Sequence, residues 1–509
     1  MPTISQLLQG VEFLRRAGLD AQVSGVEYDS RRVGPGSMFV AMQGGTSDGN
    51  RYIVSAVTQG ATAIITDSST AFDATAHDYP QIGLIEVPHG RKALAGVSAN
   101  FFGHPETQLA LSGVTGTNGK TTTAFLLDAM LNYVQRTTVL VGTIEYHVAN
   151  QVRSSPHTTP ESRDLLELFA EGLKLGATEA VMEVSSHALE QGRVWALPHD
   201  VAIFTNLTRD HLDFHGTMEK YFAAKLSLFD GRNGAVPRVA VVNVDDPHGL
   251  RVAEVAQNAR AAVYTYGIDP RGVGAGDFRA SDVKMAASGM RFTMTTPFGI
   301  AALETRLTGK VNVYNLLAAS AAAMARGLTL DQVTAGAAAL EHVPGRFQTV
   351  DAGQPFTVVV DYAHTDDALK NLIALGREFV REQDGRVITM FGCGGDRDRT
   401  KRPLMGRVAA EGSDLVVYTS DNPRTEDPMA ILEEVMAGGL PVGTPCLLDP
   451  DRSNGIHEAI YAAKPGDIVL LAGKGHEKVQ VLKDRTVPFD DAEVARQVLR
   501  SLGYDGAAR

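Results

Sequence analysis

From residue 108 onward the chain repeats one pattern: an apolar run, a turn, often glycine-bearing, then a helical stretch. The runs LALSGVTG, VLVGTI, AVMEVS, VAIFTN and RVAVVNVDD follow one another in this way up to Asp246. Such alternation leaves little choice but a mostly parallel sheet covered by helices, because parallel neighbours need a crossover and the crossovers bury both faces. The pattern restarts after Pro344-Gly345 with TVVVDYA, RVITMFG, LVVYTSD and DIVLLAG, so a second α/β unit reaches the C-terminus. Between them, residues 277–308 read as antiparallel strands and Val313–Ala325 as an Ala-rich helix. The first 88 residues read as a small mixed unit with a helical start and short strands at Val26–Tyr28, Met38–Met42, Ala63–Thr66 and Gly83–Val87, closed by Pro88-His89-Gly90 as a linker. The expected fold is α/β in three domains, 1–88, 89–344 and 345–509, which suits a length of 509 residues.

Charge narrows the function. With 47 basic and 59 acidic residues the formal net charge is −12, which argues against nucleic acid or an anionic membrane as the main partner. Two cysteines, Cys393 and Cys446, exclude a disulfide framework and a thiolate zinc cluster. No apolar run reaches the roughly 18 residues of a membrane span, and the N-terminus has no basic-then-apolar leader. A cytoplasmic chain without membrane insertion is expected.

The strongest chemical signal is Gly113-Val-Thr-Gly116-Thr117-Asn118-Gly119-Lys120-Thr121-Thr122, set between an apolar strand and the helical run TTTAFLLDAMLNY. Glycines let backbone N–H groups curl around phosphate oxygens, and the helix N-terminus adds positive potential. Lys120 then reaches the β- and γ-phosphates, and the Thr121 hydroxyl can ligate Mg²⁺. Val114 stands where the common phosphate-loop pattern has glycine, so this loop is a variant. A magnesium nucleotide also needs acidic or imidazole groups at the carboxyl ends of neighbouring strands. Glu183, ending AVMEVS, and His211, in NLTRDHLDFHG after VAIFTN, stand at such places. Lys225 interrupts the apolar helix face YFAAKLSLF, and residue physics alone favours a snorkelling or ion-paired lysine there.

GTNGKT at 116–121, MEVSSHAL at 182–189, NLTRDHLDFHG at 206–216, YFAAK at 221–225, VDYAHT at 360–365, FGCGGDRD at 391–398, SDNPRTEDP at 420–428 and AGKGHE at 472–477 together resemble the Mur ligase family. The resemblance covers essentially the whole chain. It implies an N-terminal UDP-binding domain, a central phosphate-loop ATPase and a C-terminal Rossmann-like domain that receives an amino acid. It also implies an ATP-dependent amide ligase of peptidoglycan precursor synthesis, acting as a monomer on UDP-N-acetylmuramoyl-L-alanyl-D-glutamate. Lys225 would be carbamylated by CO₂, turning an unwelcome cation into a carboxylate-like ligand. Thr121 and Glu183 would hold the nucleotide Mg²⁺, and His211 with carbamylated Lys225 a second ion. ATP would be met by residues 116–122 and by Asn312, Asn315, Arg346 and Asp361. The UDP-sugar peptide would be met by Tyr28, Ser30, His157, Thr158, Thr159, Ser185, Gln191 and Arg193, with Gly45-Thr46-Ser47 at the uridine loop.

Specificity for the added amino acid is sought in Asp421-Asn422-Pro423-Arg424. A guanidinium at this turn can grip a carboxylate through two parallel hydrogen bonds. The family associates DNPR with meso-2,6-diaminopimelate, whose far end carries a carboxylate and an ammonium. Arg397, Gly473 and Glu477 complete the expected pocket. Taken one at a time, Arg424, Arg397 and Glu477 also read as a turn salt bridge, a solvated loop and a cap. The rivals are L-lysine as the added amino acid, and a phosphate-loop switch that makes no bond. His364 and Asp361 are candidates for deprotonating the amine. FGCGGDRD lacks the third glycine of a dinucleotide loop, and Cys393 has no adjacent base to activate it.

Overall fold

A computed structural model describes the chain except Thr46, 269–275, 287–288, 382–383 and 507–509; the middle of the expected uridine loop, at Thr46, thus lies outside the described residues. The chain forms two compact units. Unit 1 comprises Met1–Arg279, Thr296–Phe298 and Leu316–Gly336; unit 2 comprises Ala280–Thr295, Gly299–Asn315 and Ala337–Arg509.

Unit 1 begins with a sheet of β1 (Arg15–Ala17), β2 (Gly25–Glu27), β3 (Ser37–Ala41), β4 (Ala63–Thr66) and β5 (Gly83–Glu86) in the order β1-β5-β4-β3-β2. All neighbours are parallel except β1 on β5. Pro88-His89-Gly90 is no extended linker. His89 caps a helix, Gly90–Phe102, whose Ala93, Leu94 and Val97 pack into the core of this sheet with Ile4, Val26, Val40 and Ile85. The helical start is a single turn, Ile4–Leu7.

The larger sheet of unit 1 is built from β6 (Ala110–Thr115), β7 (Thr138–Val141), β8 (Glu145–Val148), β9 (Gln151–Ser154), β10 (Glu179–Glu183), β11 (His199–Phe204), β12 (Val239–Asn243) and β13 (Ala262–Gly267), ordered β13-β12-β11-β6-β10-β7-β8-β9. It is parallel from β13 to β7, and β8 and β9 add an antiparallel hairpin. Every residue of β7 and β10 is buried, as expected of strands covered on both faces. The helix Ser162–Lys174 lays Leu165, Leu166 and Phe169 on one face of this sheet. The strand signal at 277–308 becomes β14 (Phe278–Ala286), β15 (Gly289–Thr296) and β16 (Gly299–Thr305), and the Ala-rich helix is Lys310–Ala325.

In unit 2, β17 (Gln348–Thr349), β18 (Thr357–Asp361), β19 (Val387–Phe391), β20 (Leu415–Tyr418), β21 (Cys446–Leu448) and β22 (Ile468–Ala472) form a sheet in the order β17-β18-β22-β19-β20-β21, parallel except for β17. β22 lies between β18 and β19, and sheets of this kind receive ligands beyond the carboxyl ends of their strands. Asp361, Gly392, Asp421 and Gly473 all lie at those ends.

Candidate functional site

β6 lies mid-sheet between β11 and β10 and delivers the chain to Gly116. At Gly116 φ is +151°, and a Cβ there would stand 1.8 Å from Thr205 Oγ1, so glycine is required. Lys120, the first residue of the helix Lys120–Tyr133, donates from Nζ to the carbonyl oxygens of Gly116 (2.9 Å) and Thr117 (2.8 Å). The loop after β11 braces this turn. Asn118 N donates to Asn206 Oδ1 (2.9 Å), Thr205 Oγ1 donates to the Asn118 carbonyl (2.7 Å), and Thr117 Oγ1 lies 3.1 Å from the Tyr221 hydroxyl.

Glu183, 1% exposed at the end of β10, accepts from Thr121 Oγ1 (3.1 Å) and Thr143 Oγ1 (3.1 Å) on Oε2, and from Thr143 N (2.7 Å) on Oε1. A hydroxyl and a carboxylate side by side at a phosphate loop are the hard oxygen donors that Mg²⁺ takes alongside phosphate oxygens, so the residues present fit that ion. Among the described residues no three His, Cys, Asp or Glu side chains gather as a ready-made metal cage; an ion here depends on the nucleotide for its remaining ligands.

Lys225 is 1% exposed, on the helix Met218–Leu226. Its Nζ donates to the Gly116 carbonyl at 2.7 Å, the oxygen that Lys120 also uses, and sits 4.5 Å from the centre of the Tyr221 ring. Burial, then the neighbouring Lys120 charge, push its pKa well below the ordinary lysine value against the pull of Asp210. His211 has φ +54° and a side chain 43% exposed, with Nε2 3.3 Å from Asp210 Oδ2 and its ring edge-on to His187 at 4.8 Å. Burial brings its pKa to about 4 despite Asp210. Among the described residues no hydrogen bond joins His211 to Glu183 or Lys225.

The threonines after the hairpin gather around Glu183. Thr159 Oγ1 donates to the Glu183 carbonyl (2.8 Å) and accepts from Ser185 N (3.1 Å), while Thr158 Oγ1 lies 3.0 Å from Thr143 Oγ1. Arg193 Nη1 donates to the Thr159 carbonyl (3.1 Å), and Ser185 caps the helix Ser186–Gln191 through Ala188 N. Gln191 Oε1 is buried without a hydrogen-bond partner, and His157 is exposed. Tyr28 is tied instead to the helix Ser162–Lys174, its hydroxyl donating to Asp164 Oδ2 at 2.5 Å. Ser30 opens a short 3₁₀ turn capped by Asp29.

Unit 2 holds the remaining candidates. Asn312 and Arg346 line one cavity of about 320 Å³ with Thr308, His342 and Phe347. Asn315 Nδ2 donates to Asn312 Oδ1 (2.9 Å), and Asp361 accepts from the backbone N–H groups of Phe347 (2.7 Å) and Ala363 (2.8 Å). Burial raises the Asp361 carboxyl above its usual range against the opposing charge of Arg346. At the ends of β20 and β22, Asn422 Nδ2 donates to Glu477 Oε2 (2.8 Å). Arg424 is held with φ +49° and donates from Nη1 to the Gly395 carbonyl (2.8 Å). Pro423 and Gly473 are buried; Arg397 is exposed, donating to the Asp396 carbonyl (3.1 Å). Cys393 is packed against Met405, and burial lifts its thiol to about 12, which leaves it unreactive.

Comparison with known proteins places this geometry. Residues 22–102 match the description "Mur ligase family, catalytic domain", 114–323 "Mur ligase middle domain" and 345–475 "Mur ligase, glutamate ligase domain". A protein of Solibacter usitatus named UDP-N-acetylmuramoyl-L-alanyl-D-glutamate–2,6-diaminopimelate ligase is 50% identical over 95% of this chain and 94% of its own. The chain belongs to the Mur ligase family. A relative of the same name from Geobacillus kaustophilus is 43% identical over 96% of both chains. A solved Mur ligase structure carrying that name superposes with a TM-score of 0.67 at 33% identity, covering 95% of this chain and 97% of that one. The MurF ligase of Thermotoga maritima in complex with ADP shares the fold, with a TM-score of 0.63 at 19% identity over 94% and 97%.

Several residues in this Mur ligase escaped the sequence reading. Thr143, two residues beyond β7, supplies two of the donors to Glu183; its signal was a hydroxyl just past a strand end, in VLVGTI. Arg402, with a fully buried side chain, donates to both Glu426 oxygens, to Glu434 and to the Gly394 carbonyl. It ties the loop after β19 to the turn after β20. Lys474, also fully buried, lies inside the motif AGKGHE between Gly473 and Glu477.

Proposed function

We propose that this chain is an ATP-dependent amide ligase that joins meso-2,6-diaminopimelate to UDP-N-acetylmuramoyl-L-alanyl-D-glutamate in cytoplasmic peptidoglycan precursor synthesis. The observation that carries the reading is half identity, over nearly the full chain, to a relative named for that activity. The phosphate loop with Lys120, Thr121 and Glu183 supports it.

The D-glutamate γ-carboxylate attacks the γ-phosphorus of ATP, ADP leaves, and an acyl phosphate results. The amine of diaminopimelate then attacks the acyl carbon, inorganic phosphate departs, and the amine loses its proton. Phosphoryl transfer of this kind needs positioning and charge neutralisation more than a protein nucleophile, so no covalent catalyst is assigned. Lys120 neutralises charge on the β- and γ-phosphates. Mg²⁺, held by Thr121 and Glu183 and a second time by His211 and carbamylated Lys225, would supply further charge neutralisation on the phosphates. The depressed pKa of Lys225 favours the neutral amine, which adds to CO₂ to give a carbamate and a released proton.

Asn312, Asn315, Arg346 and Asp361 are assigned to the nucleotide. Tyr28, Ser30, His157, Thr158, Thr159, Ser185, Gln191 and Arg193 are assigned to the UDP-sugar peptide. Arg397, Asp421, Asn422, Pro423, Arg424, Gly473 and Glu477 are assigned to diaminopimelate. The three-domain division belongs to the same reading, with the first join after the helix Gly90–Phe102 rather than before it. No described helix is long and apolar enough to cross a membrane, and a monomer suffices for the chemistry. The test offers purified protein ATP, the UDP-sugar dipeptide and a panel of amino acids, and follows phosphate release and product mass. Diaminopimelate-dependent mass gain is expected. Product with L-lysine alone, or phosphate release indifferent to the amino acid, would refute the proposal.

A further inference from the structure

Lys474 follows Gly473, whose φ of +110° turns the chain out of β22. Its side chain is fully buried, and a buried ammonium persists only where its donors are matched. Lys474 Nζ donates to Asn422 Oδ1 (3.1 Å) and Glu477 Oε2 (3.0 Å), with Asp421 Oδ1 3.7 Å away. Asn422 Nδ2 reaches the same Glu477 oxygen (2.8 Å), while Asn422 Oδ1 also accepts from Val481 N (2.9 Å). Glu477 Oε2 is therefore held by two donors, and among the described residues Oε1 accepts no hydrogen bond. Asp421 Oδ1 is buried and likewise has no hydrogen-bond partner. The ammonium thus fixes two carboxylates that come from the ends of two different strands.

We propose that Lys474 is a positioning residue that sets selectivity for an amino acid whose far end is a zwitterion. The inference rests on the amide-ligase reading above and deepens it. The charged groups facing this corner are Lys474, Arg424 and Arg397 against Asp421 and Glu477, with Arg452 beneath them neutralised by Asp491. A pocket that offers both guanidinium groups and the free Glu477 Oε1 matches a group bearing one carboxylate and one ammonium. Removing Lys474 shifts the charge of the pocket by one unit toward negative, which weakens its hold on a carboxylate relative to a bare ammonium such as that of L-lysine. It also takes from Glu477 Oε2 one of its two donors, leaving Asn422 alone to hold the carboxylate toward the substrate.

The test measures kcat and KM for meso-diaminopimelate and for L-lysine, together with KM for ATP, in wild type, Lys474→Met and Lys474→Arg. In Lys474→Met the KM for diaminopimelate is expected to rise about tenfold or more, and the ratio of kcat/KM between the two amino acids to fall by about tenfold to a hundredfold, because a matched polar contact is lost. KM for ATP stays within about twofold. Both amino acids are read on one sample, so a reduced folded fraction cancels from the ratio. Lys474→Arg keeps the charge and is expected to hold the ratio within about threefold of wild type. An unchanged ratio in Lys474→Met, or an equal collapse in Lys474→Arg, would overturn the inference while leaving the ligase reading intact. A wild type that makes no diaminopimelate product overturns both.

Discussion

Arg452 and Asp491 are both fully buried and joined by two hydrogen bonds, Nε to Oδ1 at 2.7 Å and Nη2 to Oδ2 at 2.6 Å. The guanidinium also donates to the carbonyls of Ser420 (3.2 Å) and Ala472 (3.0 Å). Those carbonyls immediately precede Asp421 and Gly473, so one ion pair anchors both specificity loops. Asp491→Asn keeps the side-chain shape but turns one acceptor into a donor facing the guanidinium and leaves its charge unpaired. Breaking a buried pair from one side costs about 3–5 kcal/mol. At a urea slope of about 2–3 kcal/mol per molar, the unfolding midpoint of unit 2 should fall by about 1–2 M. Urea unfolding followed by circular dichroism reads that shift, and hydrogen exchange localises it to β20 and β22. KM for the amino acid should rise about tenfold, because loop misplacement weakens positioning, with ATP binding retained. The double variant Arg452→Met/Asp491→Leu should recover most of the stability, since removing both charges together is well tolerated. A single variant that loses less than about 1 kcal/mol, below the usual range for a broken buried pair, would refute the reasoning.

Gly116→Ala should abolish ATP binding, measured by calorimetry, because the added Cβ meets Thr205 Oγ1 at 1.8 Å and the backbone sits at φ +151°. His147 is depressed by burial, but hydrogen bonds to Asp128 and Glu145 outweigh that and raise its pKa from 6.5 to about 9. Its stabilisation is therefore full below pH 6.5 and fades as pH rises through about 9; melting temperature should slope down over that window, and His147→Gln should flatten the slope. Arg424→Lys should lower kcat/KM for diaminopimelate by about 10²-fold or more while KM for ATP holds, since an ammonium cannot reproduce a two-bond grip on a carboxylate. Loss of ATP binding instead would show that Arg424 serves another site.

What could be read from the chain alone was whatever neighbouring residues decide together. The phosphate loop depends on a ten-residue spacing after an apolar strand, and the strands of both large sheets on continuous apolar runs, so both were legible. The hairpin β8–β9 leaves only a weak trace: Glu145–Val148 is alternately half-buried and buried, but strands of four residues carry too few alternations to stand out from a loop. The helix Gly90–Phe102 was hidden by its own start, because Pro88 and Gly90 suggest a break where His89 in fact provides a cap. Contacts between distant residues left no local trace: Thr143 with Glu183, and Arg452 with Asp491, 39 residues apart. Lys225 stands between these cases. Its sequence context gives only a lysine on an apolar face, for which residue physics alone favours snorkelling or an ion pair. The fold closes that option by burying Nζ 2.7 Å from the carbonyl that Lys120 already occupies. Two ammonium groups on one carbonyl oxygen repel each other, so the buried amine is driven toward its neutral form, the form that combines with CO₂. Catalytic rate should therefore fall reversibly, by about 10-fold or more, in buffer stripped of CO₂ and return with bicarbonate, since a lost ligand to a catalytic ion costs that much. A rate indifferent to bicarbonate, with no mass increment of 44 Da (the mass of CO₂) on the intact protein in native spectra, would leave Lys225 as a structural amine and remove the second ion's ligand.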